Sequence, residues 1–160
     1  MKEKVYEVLN KLKIKFDIHE HPALYTCADH DKYNLKFDGL TCKNLFLRNK
    51  NKTKYYLVSM PDTKKISLKE LALKLNEQKL SFASEEDLFN KLKITAGMVS
   101  VLNVTLAEKD NLTVILDEDI INAEKVGFHP NDNKVTILLS GKSIITVLEE
   151  YDIKYQLMKI

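Results

Sequence analysis

Apolar residues that recur every three to four positions predict the helices of this chain. The first helix is predicted over residues 2–13, where four such residues share one face: Val5, Val8, Leu9 and Leu12. Helix starts are predicted where a residue pair fits the Ser/Thr-x-x-Asp/Glu capping pattern or where a serine precedes an apolar repeat. These positions are Thr26 with Asp29 (a helix from about Ala28), Ser67 with Glu70, Ser84 with Asp87, and Ser140.

Alternating or continuous apolar runs predict the strands. The stretch KFDIHEH places Phe16 and Ile18 on one face and predicts a short strand that ends at His21–Pro22. LFLRN and YYLVSM flank the polar KNKTK and predict a β-hairpin over about residues 42–60, which Pro61 ends. Further strands are predicted at LSFAS, after the loop that opens GMVSVLNV, and at TVILD, KVGFH, KVTILLS and KYQLM.

The order of these elements predicts the fold class. We expect an α/β protein of the α+β type, with a mixed, mostly antiparallel sheet or partial barrel of six to seven strands. Four or five helices flank it. The hairpins and the lack of regular β-α-β alternation argue against a doubly wound sheet. With 160 residues and no break in composition, residues 1–160 are expected to form a single domain.

Composition narrows the class of protein. A hydrophobic fraction of 44% and a charged fraction of 30% are typical of a globular chain. The net charge of +2 does not favour an obligate duplex binder, although a few lysines can contact a nucleic-acid end. Met1 opens directly into a charged helical pattern, and no apolar run is long enough to span a bilayer, so we expect a cytoplasmic protein. Cys27 and Cys42 lack zinc-ligand spacing and are expected to be reduced thiols.

Lys43 and Asn44 are the first candidates for chemistry. They stand just before the apolar run Leu45–Leu47, so alternation turns one of the two towards the core or a cleft. A lysine at a cleft wall would pair with a phosphate or carboxylate. A strand-entry lysine in solvent is the simpler interpretation of this residue taken alone.

His129 and Pro130 form a second candidate, at the end of a predicted strand and before a turn of Asn and Asp residues. Pro130 favours an extended backbone at His129, whose ring can then line a pocket. Gly97 opens a third, because a glycine loop permits close approach of backbone to a ligand. His19 and His21 have no further ligand at convincing spacing, so no metal or cofactor is expected. No P-loop, dinucleotide-binding glycine motif or serine-nucleophile elbow is present.

Several stretches, taken in their order along the chain, resemble one enzyme family, the free-standing prolyl-tRNA editing proteins. That family is related to the editing domain inserted in bacterial prolyl-tRNA synthetase and to the YbaK deacylases. The stretches cover about residues 14–140 and include EHPALYTCAD, CKNLFLRNKNKTKYYLVSMP, KLSFASEEDLFNKL, GMVSVLNV, TVILDEDI and GFHPNDNKVTI. The greatest similarity is to the type that removes alanine from mischarged tRNA(Pro), called ProXp-ala.

The resemblance implies a fold like the editing domain and a trans-editing deacylase. Such an enzyme hydrolyses the ester of mischarged tRNA(Pro), chiefly Ala-tRNA(Pro), without metal and with help from a ribose hydroxyl. Lys43 matches the essential lysine, Gly97 the glycine loop and His129 the histidine before proline; these are the expected catalytic residues. Expected substrate-binding residues are Asn44, Met98, Val99, Ser100, Val101 and Pro130. The implied partner is the acceptor end of tRNA(Pro), with transient contact to prolyl-tRNA synthetase or other translation components.

Two positions depart from the family pattern. The glycine loop usually ends in proline, where this chain has Val101, and the usual histidine two residues before the lysine is Thr41. Two alternatives therefore stay open. One is a deacylase for Cys-tRNA(Pro) or another small amino acid, and the other is a non-catalytic module that binds aminoacyl-tRNA.

Overall fold

The computed structural model describes residues 2–23 and 38–160. The helix expected from about Ala28, together with Cys27, lies outside the described residues. In chain order the elements are α1 (Lys2–Lys11), β1 (Asp17–Glu20), β2 (Leu40–Asn49), β3 (Tyr55–Pro61), α2 (Leu68–Lys74), β4 (Leu80–Phe82), α3 (Glu85–Asp87), β5 (Leu112–Asp117), α4 (Glu118–Asn122), β6 (Val126–Phe128), β7 (Val135–Leu139), α5 (Gly141–Glu150) and β8 (Lys154–Met158). A π-helical turn (Leu88–Leu92) continues α3, and a 3₁₀ turn spans Val101–Thr105.

The hairpin of β2 and β3 is the centre of the sheet. The strand order is β1-β7-β6-β2-β3-β5-β8, with β4 paired to β2 off this path, which makes eight strands among the described residues. The pairs β2–β3, β2–β4, β6–β7 and β1–β7 are antiparallel, while β2–β6, β3–β5 and β5–β8 are parallel. The expected mixed, mostly antiparallel sheet is confirmed, with one or two strands more than the sequence predicted.

Alternation along β2 separates two apolar clusters. Phe46 faces a large cluster that extends along the chain from Val5 to Ile153. Leu47 faces a smaller cluster on the other side of the sheet, which α2 covers through Leu71. Both faces of the central hairpin are therefore buried, which explains its nearly continuous apolar sequence.

One local prediction differs from the structure, and one helix was not predicted. GMVSVLNV was expected to lead into a strand, but Val101–Thr105 form a 3₁₀ turn because Ser100 and Asn103 cap it reciprocally. The short strand predicted at KFDIHEH is present as β1, which is exposed throughout, with Ile18 49% exposed, and lies at the edge of the sheet. Helix α4 was not expected; Asp117 caps it by accepting a hydrogen bond from the Asp119 N–H.

The other helix starts follow the capping residues. Ser67 accepts from the Glu70 N–H, Ser84 and Asp87 form a complete capping box, and Ser140 accepts from the Ser143 N–H. No helix in residues 2–23 or 38–160 is long and apolar enough to cross a lipid bilayer.

Candidate active site

Lys43 lies in β2 opposite Met60 of β3 and is partly exposed. It shares a face of the sheet with Leu45, as the alternation requires. No hydrogen bond or ion pair joins its ammonium group to any residue of the described ranges. The lysine therefore presents a positive charge that a ligand phosphate or carboxylate can neutralise.

The parallel register of β2 and β6 leads from Lys43 to His129. Thr41 pairs with Gly127, and both strands run in the same direction. Lys43 stands two residues after Thr41 in β2, and His129 stands two residues after Gly127, directly past the end of β6. The resemblance had named these two residues separately, and the pairing of β2 with β6 places one on a strand and the other just after the neighbouring strand.

Asn44 points to the opposite face and pairs with Ser59 across β2 and β3. The Oδ1 atom of Asn44 and the Oγ atom of Ser59 are buried, and neither has a hydrogen-bond partner within the described part of the chain. Buried polar atoms are normally satisfied, because an unpaired one costs about 1–3 kcal/mol. Ser59 was not singled out from sequence, since a lone serine in an apolar strand carries no motif.

The His129 ring is held in one orientation. Its Nδ1 lies 2.9 Å from the carbonyl oxygen of Val135, and because a carbonyl can only accept, Nδ1–H is the donor. In the neutral ring the lone pair is then on Nε2, which makes Nε2 the nitrogen able to accept a hydrogen bond. Pro130, the next residue, is buried.

His21 lies beside His129, and the sequence reasoning considered it only as half of a metal pair. Its ring lies edge-on to the His129 ring, with centroids 6.1 Å apart. Its Nδ1 is 2.8 Å from the carbonyl oxygen of Pro22, and its Nε2 is 2.8 Å from the Thr136 hydroxyl. The usable signal was the His-Pro step at the end of β1, which mirrors His129–Pro130 after β6.

Of the four backbone N–H groups from Gly97 to Ser100, two donate hydrogen bonds within the described residues and two do not. Gly97 has φ 89°, a conformation that glycine adopts without strain. The N–H of Met98 donates to Thr95 O at 3.3 Å, and the N–H of Ser100 donates to Asn103 Oδ1 at 2.7 Å. No hydrogen bond between described residues uses the N–H of Gly97 or Val99, so these two can serve a ligand oxygen.

A buried amide pair ties this loop to the turn after His129. Asn103, which is fully buried, donates through Nδ2 to Met98 O at 3.2 Å and to Asn131 Oδ1 at 2.7 Å. Asn131 in turn donates to the Thr105 hydroxyl at 3.2 Å. Each of these side chains hydrogen-bonds a polar atom of the next, which makes the network rigid. Sequence reasoning treated Asn131 only as a turn former.

Val101 replaces the family's usual proline without disturbing the loop. It is 1% exposed and packs in the large cluster, as the first residue of the 3₁₀ turn after the cap Ser100. Proline is well tolerated at a first helical position because that N–H has no intrahelical partner. Val101 and Ser100 thus face the interior and fix the loop, while Gly97, Met98 and Val99 are partly exposed.

The other departure, Thr41, is also accounted for. Its hydroxyl donates to Asp62 Oδ2 at 2.8 Å, and the Asp62 N–H donates to Thr41 O at 3.0 Å. These bonds fasten the end of β3 to β2 beside Lys43. Within residues 2–23 and 38–160, no group of three or more His, Cys, Asp or Glu side chains is arranged to hold a metal ion.

Comparison with known proteins gives consistent results. The model of the aminoacyl-tRNA editing domain family matches residues 21–147. Over 148 residues the chain is 36% identical to the prolyl-tRNA editing protein ProX of Acetoanaerobium sticklandii, which covers 92% of this chain and 90% of that protein. Over 154 residues it is 29% identical to prolyl-tRNA synthetase associated domain-containing protein 1 of Xenopus laevis, covering 94% of this chain and 91% of that protein.

Solved structures agree on the fold. A crystal structure described as that of a candidate trans-editing enzyme for prolyl-tRNA synthetase matches with a TM-score of 0.71 at 16% identity, over 99% of this chain and 96% of the other. That of the hypothetical protein APE2540 matches with a TM-score of 0.73 at 13% identity, over 95% and 96%. At such identities these likenesses concern the fold alone. The family model and the 36% identical relative, however, show that the chain belongs to the aminoacyl-tRNA editing domain family, which confirms the expected enzyme class, an aminoacyl-tRNA hydrolase.

Proposed function

We propose that the protein is a trans-editing deacylase that hydrolyses mischarged tRNA(Pro), with Ala-tRNA(Pro) as its main substrate. The single observation that carries this proposal is the placement of Lys43, partly exposed and without an ionic partner in the described ranges, on the strand that pairs with the one preceding His129. A cation and an oriented imidazole on neighbouring strands suit an anionic substrate with an ester to be cleaved. The relatives named for prolyl-tRNA editing support the choice of tRNA(Pro).

Each site residue has a distinct task in this proposal. Lys43 pairs with the phosphate of the terminal adenosine. The N–H groups of Gly97 and Val99 stabilise the oxyanion that develops on the ester carbonyl, a contribution that for one donor is about 100- to 1,000-fold in rate. His129 and Pro130 form a wall of the aminoacyl pocket together with Met98, while Ser100 and Val101 hold the loop in place.

The reaction needs no covalent enzyme intermediate. A water molecule adds to the ester carbon, and a tetrahedral oxyanion forms opposite the loop N–H groups. The bond from this carbon to the ribose oxygen then breaks, and that oxygen takes the proton that the attacking water loses. The neighbouring ribose hydroxyl positions the attacking water, so the products are the free amino acid and uncharged tRNA. The protein contributes orientation and preorganised dipoles, which account for large rate effects in such sites.

Asn44 is proposed to shape the aminoacyl pocket from the face of β2 opposite Lys43. Its buried Oδ1 lacks a partner in the described part of the chain, and a donor supplied on substrate binding would satisfy it. A small pocket explains why alanine is accepted and the bulkier proline is protected.

The site residues lie on elements that share the large apolar cluster, so we also propose that residues 1–160 act as one editing domain.

A panel of mischarged tRNAs tests the substrate assignment. We expect micromolar enzyme to release labelled alanine from Ala-tRNA(Pro) faster than cysteine from Cys-tRNA(Pro), and to leave Pro-tRNA(Pro) intact. A preference for cysteine would overturn the alanine assignment, and no release from any member would overturn the deacylase itself. Co-purification of prolyl-tRNA synthetase only when tRNA(Pro) is present would support the proposed transient contact with that enzyme.

A further inference from the structure

A cleft of about 500 Å³ opens beside the editing loop and is not lined by Lys43 or His129. It shares Met98 with the loop and Asn131 with the turn after His129. From there it extends to the end of the π-helical turn and to the start of α1. Its volume lies within the range of about 300–1,000 Å³ that is typical of ligand sites.

A buried amide in the wall of this cleft lacks a partner. Asn133 is 3% exposed, and its Nδ2 has no hydrogen-bond partner within the described ranges. The other two amides of the region, Asn103 and Asn131, are bonded to each other, so the unsatisfied donor is specific to Asn133. An acceptor on a ligand in the cleft would supply what the protein itself does not.

The rim of the cleft combines an exposed aromatic ring with lysines. Phe89 is 64% exposed, and Lys93 and Lys134 are exposed beside it. A third lysine, Lys2, lies 3.9 Å from Asp132. The lining contains three lysines, Lys2, Lys93 and Lys134, against two carboxylates, Glu3 and Asp132. Aromatic rings that stack on bases beside lysines that meet phosphates are typical of single-stranded nucleic-acid sites.

We propose that this cleft binds a nucleotide of the tRNA acceptor strand that precedes the terminal adenosine. This inference rests on the proposed function, which places the terminal adenosine at Lys43. The base stacks on Phe89, an oxygen or ring nitrogen of the base accepts a hydrogen bond from Asn133 Nδ2, and Lys93 or Lys134 pairs with the phosphate. The cleft would thus orient the acceptor strand as it leaves the editing site, past Met98.

Kinetics of Phe89→Ala on two substrates test this assignment. With Ala-tRNA(Pro) we expect KM to rise roughly 5- to 150-fold, as the loss of one stacked base implies, while kcat is unchanged. With the alanyl ester of adenosine 5′-monophosphate, which keeps the phosphate proposed to meet Lys43 but lacks the preceding nucleotides, we expect Phe89→Ala to behave as the wild-type protein does. Phe82→Ala is the matched control, because Phe82 is 60% exposed and lies on β4, outside the cleft.

The outcomes separate this inference from the proposed function. If wild-type protein cleaves both substrates but Phe89→Ala leaves KM for Ala-tRNA(Pro) unchanged, the nucleotide site is overturned. The exposed Phe89 ring would then be assigned to contact with a protein partner. Equal losses on both substrates would also overturn it, because Phe89 would then act through the editing site. If wild-type protein cleaves neither substrate, the proposed function fails. In that case, weaker binding of uncharged tRNA(Pro) by Phe89→Ala, but not by Phe82→Ala, would still support the cleft.

Discussion

At the scale of single residues, the site depends on side chains that hold others in place. Asn131 has φ 62°, a left-handed conformation that asparagine tolerates better than most residues. It accepts a hydrogen bond from Asn103 and donates one to Thr105. It therefore fixes the glycine loop against the turn that carries His129.

Replacement of Asn131 tests this positioning role. Asn131→Gly keeps the left-handed backbone accessible but removes the amide, and we expect kcat for Ala-tRNA(Pro) to fall about 10- to 100-fold at a nearly unchanged KM, because the loop donors shift. Asn131→Asp keeps an acceptor for Asn103 and should recover part of kcat. Steady-state kinetics with circular dichroism as a fold check measures both, and an unchanged kcat in Asn131→Gly would contradict the role.

At the scale of elements, the end of the glycine loop accommodates either valine or proline. Val101 is the first residue of its 3₁₀ turn, where the N–H is not needed by the turn. We expect Val101→Pro to fold, to keep kcat within about threefold, and to change the free energy of unfolding by less than about 1 kcal/mol. Urea unfolding and deacylation assays check this. A loss of activity with retained fold would mean that the Val101 N–H or side chain serves the reaction.

Elements whose signals are local were predictable from the sequence, and elements set by tertiary contacts were not. The hairpin of β2 and β3 was predicted because two apolar runs flank one polar loop. The strand expected after Gly97 was wrong, because the Ser100–Asn103 cap outweighs the β-branched residues there. The exposure of Ile18, by contrast, follows from the place of β1 at the sheet edge and could not be read from the alternation alone.

The same division applies to the site. Lys43, Gly97 and His129 were named from their motifs, by resemblance to a family. The relative placement of Lys43 and His129 depends on the parallel pairing of β2 with β6, which no short stretch of sequence encodes. The ring contact of His21 with His129 and the pairing of Ser59 with Asn44 depend on tertiary contacts in the same way.

At the scale of the whole molecule, one carboxylate links the hairpin to the helical layer. Asp87 receives hydrogen bonds from Arg48 of β2 at 2.7 Å, from the Tyr55 hydroxyl of β3 at 3.1 Å and from the Ser84 N–H at 3.0 Å. Burial alone would raise the pKa of Asp87, but the bonds from Ser84, Tyr55 and Arg48 outweigh burial and lower that pKa. Residues of the hairpin and of the helical layer belong to the same large apolar cluster. We therefore expect the Asp87 hydrogen bonds to contribute to the free energy of unfolding of the whole fold.

The lowered pKa of Asp87 predicts an acid-sensitive part of stability. Because the carboxylate is stabilised in the folded state, its contribution is complete above the unfolded pKa of about 4 and is lost as pH falls through the folded value. We expect Asp87→Asn to lower the free energy of unfolding by about 1–3 kcal/mol at pH 7. The difference from wild type should shrink towards pH 3. Urea unfolding at several pH values measures it, and a difference independent of pH would show that charge is not the cause.

The central claim is that Lys43 anchors an aminoacyl-tRNA for hydrolysis, and single-turnover hydrolysis of labelled Ala-tRNA(Pro) tests it most directly. Wild-type protein is compared with Lys43→Ala and with Lys54→Ala, a control at an exposed lysine just before β3. Because Lys43 makes no ion pair in the described ranges, its removal should change the free energy of unfolding by no more than about 0.5 kcal/mol. We expect Lys43→Ala to lose about 100-fold or more in rate while Lys54→Ala matches wild type. A Lys43→Ala protein that is folded and hydrolyses Ala-tRNA(Pro) at the wild-type rate would contradict the account.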